Sequence, residues 1–308
     1  MAADRILDRW YEAARVRCGP RRKFAEEQET GKALFAAREM PELDHPTVAE
    51  RGTQMREFLL AQRLYQYLQF TVHVESRIIN RALELLANGH IEIGSLSSWP
   101  IRLNAYQIYT DEAFHALSNL DLIDQVARVT GIEPCRYSFD RVIMALDGPM
   151  RVILPGHEHL GQLMQAVVFE TALSSILDIL PRDPTVHSVV RAVVADHAAD
   201  ERRHHAYFSR VFPEIWRQLD GQTRTKVAHY LPYALRGCLE PDLAHAAHVL
   251  LTAGLSSTDA EEVLAEKYWT EMIDTRIREW GRYTLNLFRN TGVLDVPGAS
   301  EKFAAAGL

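Results

Sequence analysis

Cysteine is scarce in this chain. Its 308 residues include three cysteines, Cys18, Cys135 and Cys238, which lie far apart and form no Cys-x-x-Cys pair. An odd number of scattered cysteines argues against a disulfide framework and against a zinc site built on thiolates. The sequence therefore favours a protein of the reducing cytoplasm.

Long apolar runs are also missing. No stretch approaches the roughly 20 apolar residues that a membrane-spanning helix needs. The N-terminal sequence MAADRILDRWYEAARVR carries charges throughout and lacks the apolar core of a signal peptide. We therefore expect no association with a membrane.

Basic blocks are the third absence. The 34 basic residues are outnumbered by 41 acidic residues, which gives a formal net charge of −7, and no long run of lysine and arginine occurs. A nucleic acid is therefore not an expected partner. Hydrophobic residues make up 47% of the chain and charged residues 24%, which excludes disorder as the main state. The 13 histidines raise the question of whether they meet the acids.

The hydrophobic pattern is helical along nearly the whole chain. Apolar residues recur every three or four positions in four long segments, which predict helices over 48–88, 103–130, 160–180 and 183–212. Asp183 is predicted to cap the fourth helix, with Pro184 at its first position. Further helices are predicted over 241–254 and 258–290. No segment alternates as a strand does, and no flexible linker occurs.

These patterns predict one all-α domain over residues 1–308. Its centre is a four-helix bundle over about 48–212, and the other helices flank the bundle. We expect the first 47 residues to form a helical, partly peripheral extension. The flanking helices are expected to build a pocket wall and the interface of a homodimer.

Each of the four long helices carries carboxylates in an apolar setting. Two helices contribute a single glutamate, and the other two contribute a Glu-x-x-His pair, which is the arrangement of a di-iron or di-manganese bundle. His197 lies one turn before the second pair, within the same wedge of about 60° on that helix. The predicted metal ligands are Glu75, Glu112, His115, Glu170, His197, Glu201 and His204.

The chemistry of this set favours iron or manganese. Four carboxylates balance two divalent ions, and oxygen and imidazole donors without thiolate do not suit structural zinc. A single Glu-x-x-His arises by chance, as Glu42 and His45 do in a proline-rich segment, so the prediction depends on all four helices together. Asp111 and Asp200 each precede a ligand glutamate and are predicted to hold the outer nitrogen of a ligating histidine.

Residues 48–212 resemble the ferritin-like di-iron N-oxygenases of the p-aminobenzoate N-oxygenase family, which act in bacterial natural-product pathways. The most specific element is the third histidine, His197, because ferritins and related di-iron proteins typically have two. The resemblance implies a ferritin-like bundle that holds two iron ions through the seven residues above. It also implies a monooxygenase that N-oxygenates an aromatic amine with O2 through a peroxo-diferric intermediate, in antibiotic biosynthesis. No GxGxxG nucleotide motif occurs, so a separate reductase or small electron donor is implied.

The substrate pocket is predicted within one or two turns of the ligands. An aminobenzoate would need a cation or an amide to hold its carboxylate, and no arginine lies one turn before Glu75. The sequence therefore leaves open a larger or less acidic substrate, and simple core packing stays the alternative for each aromatic residue. The predicted pocket residues are Tyr67, Phe70, Thr71, Tyr109, Leu173, Ile176 and Phe208.

Three other functions stay open at the level of sequence. The same ligands could serve a C–H hydroxylase of a biosynthetic intermediate. A ferritin-like iron-binding protein would perform no organic chemistry, although the third histidine argues against it. A helical interaction protein would hold no metal at all. Spacing alone does not separate iron from manganese.

Overall fold

A computed structural model describes residues 7, 9–25, 29, 31–91, 94, 98–172, 177 and 179–308. Within these residues the backbone is helical nearly throughout, and the one β-bridge is a parallel pair between Ala33 and Val186. The predicted all-α fold is therefore confirmed. Across the same part of the chain, every helix is too short or too polar to span a membrane.

Four long helical segments form the bundle. We call them the first to fourth bundle helices, and they pack side by side, with the second and third each contacting the first and the fourth. Their bounds are Thr53–Val74 with a π-helical turn Glu75–Ile79 and a continuation Asn80–Ala87, then Trp99–Thr130, Glu158–Ala172 and Ser188–Gln218.

The first bundle helix differs from its prediction at both the start and the middle. A short helix, Pro46–Ala49, precedes it, and the chain then turns through Gly52, whose φ of +83° lies in a region that favours glycine. In the middle, the backbone N–H of Asn80 bonds to the carbonyl oxygen of Glu75, five residues earlier, which defines the π turn. The predicted end near Gly89 is confirmed, since this residue has a φ of +73°.

The predicted cap of the fourth bundle helix is wrong. Asp183 instead accepts hydrogen bonds from the backbone N–H and the hydroxyl of Thr185, at 3.0 and 2.6 Å, and so closes a local turn. The cap is His187, whose Nδ1 accepts from the N–H of Val189 at 3.3 Å. Local turn formation by the aspartate has outcompeted capping.

The C-terminal part also differs. The predicted helix 241–254 is observed as Leu243–Thr252, capped by Asp242. The predicted helix 258–290 is divided into Ser257–Lys267, Thr270–Trp280 and Arg282–Thr291. The remaining helices of the described chain are Trp10–Ala13, Arg15–Cys18, Asp140–Ile153, Ile179–Arg182, Gly221–Leu239 and Ala299–Ala305, with 3₁₀ turns at Ala37–Glu39 and Pro41–Asp44.

The first helices of the N-terminal extension, which we expected to be partly peripheral, contact the bundle. Trp10 and Ala14 are buried in the apolar core, and the helix Arg15–Cys18 contacts the second and fourth bundle helices. The extension therefore lies against the two helices that carry the histidines.

Candidate metal centre

The seven predicted ligands come together in the middle of the bundle, and all are buried. Their donor atoms form two groups, and within each group the atoms lie within 4.8 Å of one another. The first group is Glu75, Glu112, His115 and His197, and the second is Glu112, Glu170, Glu201 and His204. Glu112 belongs to both groups, which is the position of a bridging carboxylate.

The apolar core explains how the helices place this cluster. The buried hydrophobic residues form two separate clusters, and three bundle helices pass from one to the other at their ligands. On the first helix, Leu68 belongs to one cluster and Val74 to the other. The flanking pairs on the second and fourth helices are Ile108 with Leu122 and Ala198 with Tyr207. The polar site therefore lies between two packed apolar regions.

The inner nitrogens of the first group face the same carboxylate oxygens. His197 Nε2 lies 3.2 Å from Glu75 Oε1 and 3.2 Å from Glu201 Oε1. His115 Nδ1 lies 3.4 Å from Glu112 Oε2, 3.6 Å from Glu201 Oε1 and 3.7 Å from Glu75 Oε1. Several donors thus converge on one small volume.

The second group is arranged in the same way. His204 Nδ1 lies 2.7 Å from Glu112 Oε1, 3.2 Å from Glu201 Oε1 and 4.0 Å from Glu170 Oε2. Glu201 Oε1 is therefore close to the inner nitrogen of all three histidines. Although Glu201 falls in only one of the two groups, its position makes it a second bridging candidate.

The two aspartates contact the outer ring nitrogens, but each serves the other helix. Asp200, on the fourth bundle helix, has Oδ2 3.0 Å from Nε2 of His115 on the second. Asp111, on the second helix, has Oδ2 3.2 Å from Nε2 of His204 on the fourth. Such contacts fix the tautomer and the orientation of an imidazole, so that Nδ1 points to the centre.

Sequence reasoning missed three partners of these aspartates. The indole Nε1 of Trp10 donates to Asp111 Oδ2 at 2.8 Å, and the backbone N–H of Arg15 lies 3.3 Å from both oxygens of Asp200. Arg203 donates to Asp200 Oδ1. The spacing of Arg203 from Asp200, three residues along one helix, was the available signal. No local pattern points to Trp10 or Arg15.

Burial and neighbouring charge divide the carboxylates into two kinds. Burial raises the pKa of Glu75 and of Glu170 well above the ordinary value of 4.5. Burial also acts to raise the pKa of Glu201, but the facing His204 and the hydrogen bonds from His197 and His204 lower it well below that value. Burial therefore disfavours the ionised form of these two carboxyl groups unless a positive charge lies beside them.

Two histidines show the opposite balance. Burial disfavours a charged His115, yet its contacts with Asp200 and Glu112 raise its pKa well above 6.5. His204 has a raised pKa for the same reason, with Glu201 as the strongest opposing charge. These shifts reflect an excess of carboxylates in a buried site, and divalent ions would compensate their charge.

The residues fit a pair of divalent ions. Both carboxylate oxygens of Glu75 are buried and have no hydrogen-bond partner within the described chain, which is costly for an ionised group without a metal. The donor set contains four carboxylates and three imidazoles, and the four carboxylates match the charge of two divalent ions. A metal centre is therefore the function that these residues support.

A cavity leads from this cluster towards the surface. Glu75, Glu112, Glu170, His197 and Glu201 form its inner end. The walls are mainly apolar. Wall residues that the sequence did not predict include Leu59, Arg63, Val74, Tyr137, Phe169, Tyr268 and Arg276.

The structure places the predicted pocket residues in different surroundings. Tyr67, Phe70 and Thr71 line the cavity. Tyr109 does not, because its side chain is 37% exposed and borders a shallow groove on the outer surface. Phe208 does not either, since it is fully buried in the apolar core against the edge of a neighbouring tyrosine. Leu173 and Ile176 lie outside the described residues.

Comparison with known proteins identifies the family of this chain. The sequence matches the family described as P-aminobenzoate N-oxygenase AurF over residues 21–292. It is also 25% identical, over 233 residues, to a 4-aminobenzoate N-oxygenase from Streptomyces thioluteus, an alignment that covers 74% of this chain and 67% of the relative. Because the family match covers most of its length, the chain belongs to the p-aminobenzoate N-oxygenase family.

Proposed function

We propose that this protein is a di-iron oxygenase that uses O2 to oxidise the nitrogen of an aromatic amine. The observation that carries the proposal is that the buried carboxylate–histidine cluster forms the inner end of an apolar cavity. An organic substrate in this cavity would meet the metal centre directly. Family membership supports N-oxygenation, and the Streptomyces relative is named for that reaction on 4-aminobenzoate.

Two iron ions are the proposed cofactor. The contacts within the cluster indicate which residues would hold each ion. Glu75, His115 and His197 would hold one, Glu170 and His204 the other, and Glu112 and Glu201 would lie between them. Oxygen and imidazole donors suit iron, and iron supports O2 chemistry.

The bound ions would supply the activation of O2 and the transfer of one oxygen atom to the amine nitrogen. The chain positions the histidines through Asp111 and Asp200 and surrounds the cluster with packed apolar residues that limit access of water. Phe70 and Phe169, whose ring centroids are 6.4 Å apart, give the cavity an aromatic wall for a substrate ring.

Tyr67 is proposed to contact the substrate. Its hydroxyl is buried beside the cavity and has no hydrogen-bond partner among the described residues. Burial, together with the charges of Glu75 and Glu201, raises its pKa far above 10, so the phenol stays protonated. The hydroxyl can therefore donate a hydrogen bond to a substrate nitrogen or to the oxygen being transferred.

A cationic side chain in the cavity wall indicates what else the substrate would carry. Arg63 lies twelve residues before Glu75 on the same helix, about 18 Å along the axis. Its Nη1 donates to Gln66 Oε1 at 2.6 Å, and no carboxylate of the described chain lies within 4.0 Å of its guanidinium. We therefore propose an arylamine whose acidic group is farther from the amine than in an aminobenzoate.

The first experiment tests the metal centre. Protein loaded anaerobically with Fe(II) is expected to bind two ions per chain, and Glu170→Ala and His197→Ala are each expected to lower that number. Glu158→Ala, at the exposed start of the same helix as Glu170, is the matched control and should bind the full amount. Full retention of iron in both ligand variants would refute the assignment of these residues.

The second experiment tests the reaction. The iron-loaded protein is incubated with O2, a reductant and a panel of arylamines with and without acidic substituents. Mass spectrometry should detect a hydroxylamine or a nitro product from at least one amine. If every amine stays unoxidised at nitrogen while a ring or side-chain carbon is hydroxylated, the protein is a C–H hydroxylase instead.

A further inference from the structure

We infer that residues 9–23, here called the N-terminal arm, form the docking surface for an acidic one-electron donor protein of the ferredoxin class, and that Trp10 connects this surface with the metal centre. The inference rests on the proposed function, because an oxygenase of this kind needs electrons from a donor. When an arylamine becomes a hydroxylamine, one atom of O2 goes to nitrogen and the other leaves as water. The donor supplies two electrons in two single-electron oxidations, and solvent supplies two protons.

Trp10 contacts the carboxylate–histidine cluster through Asp111. The indole is 7% exposed, and its Nε1 donates to Asp111 Oδ2 at 2.8 Å. The same oxygen lies 3.2 Å from Nε2 of His204, whose other nitrogen faces the carboxylates of the cluster. A continuous hydrogen-bonded path therefore joins the indole ring to a proposed metal ligand.

Tyr11 connects Trp10 with the solvent. Tyr11 is 53% exposed, and its ring meets the ring of Trp10 edge to face with the centroids 5.2 Å apart. The guanidinium of Arg17 lies 5.6 Å from the centroid of the Tyr11 ring. An aromatic pair thus reaches from the protein surface to Asp111, and a cation lies over its outer member.

Hydrogen bonds and burial hold the N-terminal arm in a fixed position. The backbone N–H of Arg15 lies 3.3 Å from both oxygens of Asp200, and Asp200 contacts His115 at 3.0 Å. Ala14, between the two contact points, is fully buried. The arm therefore contacts both of the aspartates that contact the outer ring nitrogens of ligand histidines, and it cannot move without disturbing both contacts.

The N-terminal arm is positively charged, although the whole chain has a formal net charge of −7. The arm has one acidic residue, Glu12, and six basic residues, which gives an excess of five positive charges. Some of the basic residues pair with Asp196 and Asp121, but Arg9, Arg17 and Lys23 have no carboxylate within 4.0 Å in the described chain. A positive surface on an acidic protein attracts an acidic partner and repels a second copy of the same patch.

The first test measures docking. The probe is an acidic plant-type ferredoxin, titrated into the iron-loaded protein at low salt and at about 0.5 M salt, where exposed charges are strongly screened. The double variant Arg9→Glu/Arg17→Glu is expected to weaken binding at least about tenfold at low salt, and high salt should weaken wild-type binding similarly. The control Arg56→Glu/Arg151→Glu makes the same change of charge at exposed positions on other helices and should bind as the wild type does.

The second test measures the route through Trp10. Reduction of the oxidised metal centre is followed by anaerobic stopped-flow absorption with reduced ferredoxin and, separately, with dithionite, a small reductant that needs no docking. Trp10→Phe should bind ferredoxin within about twofold of the wild type, whereas its ferredoxin-driven reduction should slow at least about tenfold. Unchanged binding and an unchanged dithionite rate would show that the variant is folded.

Either of two results overturns the inference. One is that the arm variant binds ferredoxin as tightly as the control variant does. The other is that Trp10→Phe accepts electrons from ferredoxin at the wild-type rate. Because both tests use reduction and binding rather than turnover, a protein that oxidises no arylamine could still pass them, and the two proposals fail separately.

Discussion

The reciprocal contacts between the aspartates and the histidines make a quantitative prediction for Asp200→Asn. The substitution keeps the shape of the side chain but removes the charge that faces Nε2 of His115 at 3.0 Å. An amide can also present its NH2 group to this nitrogen and favour the wrong tautomer. The affected imidazole belongs to the group with Glu75 and His197, so the ion held there should be lost first.

The expected magnitude follows from the role of the aspartate. Loss of a partner of a ligating histidine typically lowers metal affinity about 10- to 100-fold, which corresponds to about 1.4–2.8 kcal/mol. Anaerobic titration with Co(II), read from its visible absorption in competition with a chelator, resolves the two binding steps. Asp196→Asn, one turn earlier on the same helix, is the matched control, because this aspartate pairs with Arg15 and Arg22 and contacts no histidine of the cluster.

Asp111→Asn provides the reciprocal measurement. Asp111 faces His204, which belongs to the other group, so this variant should weaken the other binding step. The reasoning is refuted if Asp200→Asn binds both ions as tightly as Asp196→Asn does. It is also refuted if the two aspartate variants weaken the same step, because each carboxylate would then not act on its own histidine.

Three further predictions follow from the cavity and the cluster. Tyr67→Phe should lower kcat about tenfold, while iron content stays at the wild-type level, because the hydroxyl faces the substrate and not a described side chain. Arg63→Gln should raise KM about tenfold or more for arylamines with a distal acidic group and leave KM for their neutral amides unchanged. The control Arg77→Gln, whose arginine pairs with an exposed aspartate, should leave both KM values unchanged. Chelation should lower the melting temperature more at about pH 8 than at about pH 5.5. The pKa values of Glu75 and Glu170 are raised in the metal-free folded state, so proton binding at these groups stabilises that state at low pH. This stabilisation is lost as pH rises from 4.5 through the raised pKa values. A chelator effect independent of pH would contradict this last prediction.

The carboxylate–histidine cluster was predictable because helical periodicity fixes much of it locally. Glu112 and His115 share one helical face whatever the rest of the chain does, and the same holds for His197, Glu201 and His204. The sequence also placed these residues in apolar segments, where an unpaired carboxylate is costly. The structure adds the convergence of the four helices on one point.

Residues whose roles depend on tertiary contacts were not predictable. Trp10 meets Asp111 across 101 positions of sequence, and no periodic pattern records such a contact. Angular position on a helix also failed for Tyr109 and Phe208, because it does not distinguish the wall of a cavity from the surface or from a filled core. Asp183 failed for a third reason, since a local turn with Thr185 competes with capping.

The π turn at Glu75–Ile79 has a consequence for the evolution of the site. It holds one residue more than an α-helical turn, and each residue of an α-helix accounts for about 100° of rotation. Deletion of a single residue there would restore a regular helix and rotate everything on one side of it relative to the other. Either Glu75 would leave the cluster or the apolar face of Asn80–Ala87 would leave the core. Relatives that lack this extra residue should therefore either present a different side chain to the cluster or bury a different face of the segment that follows, and a one-residue gap beside this glutamate in an alignment would mark such a change.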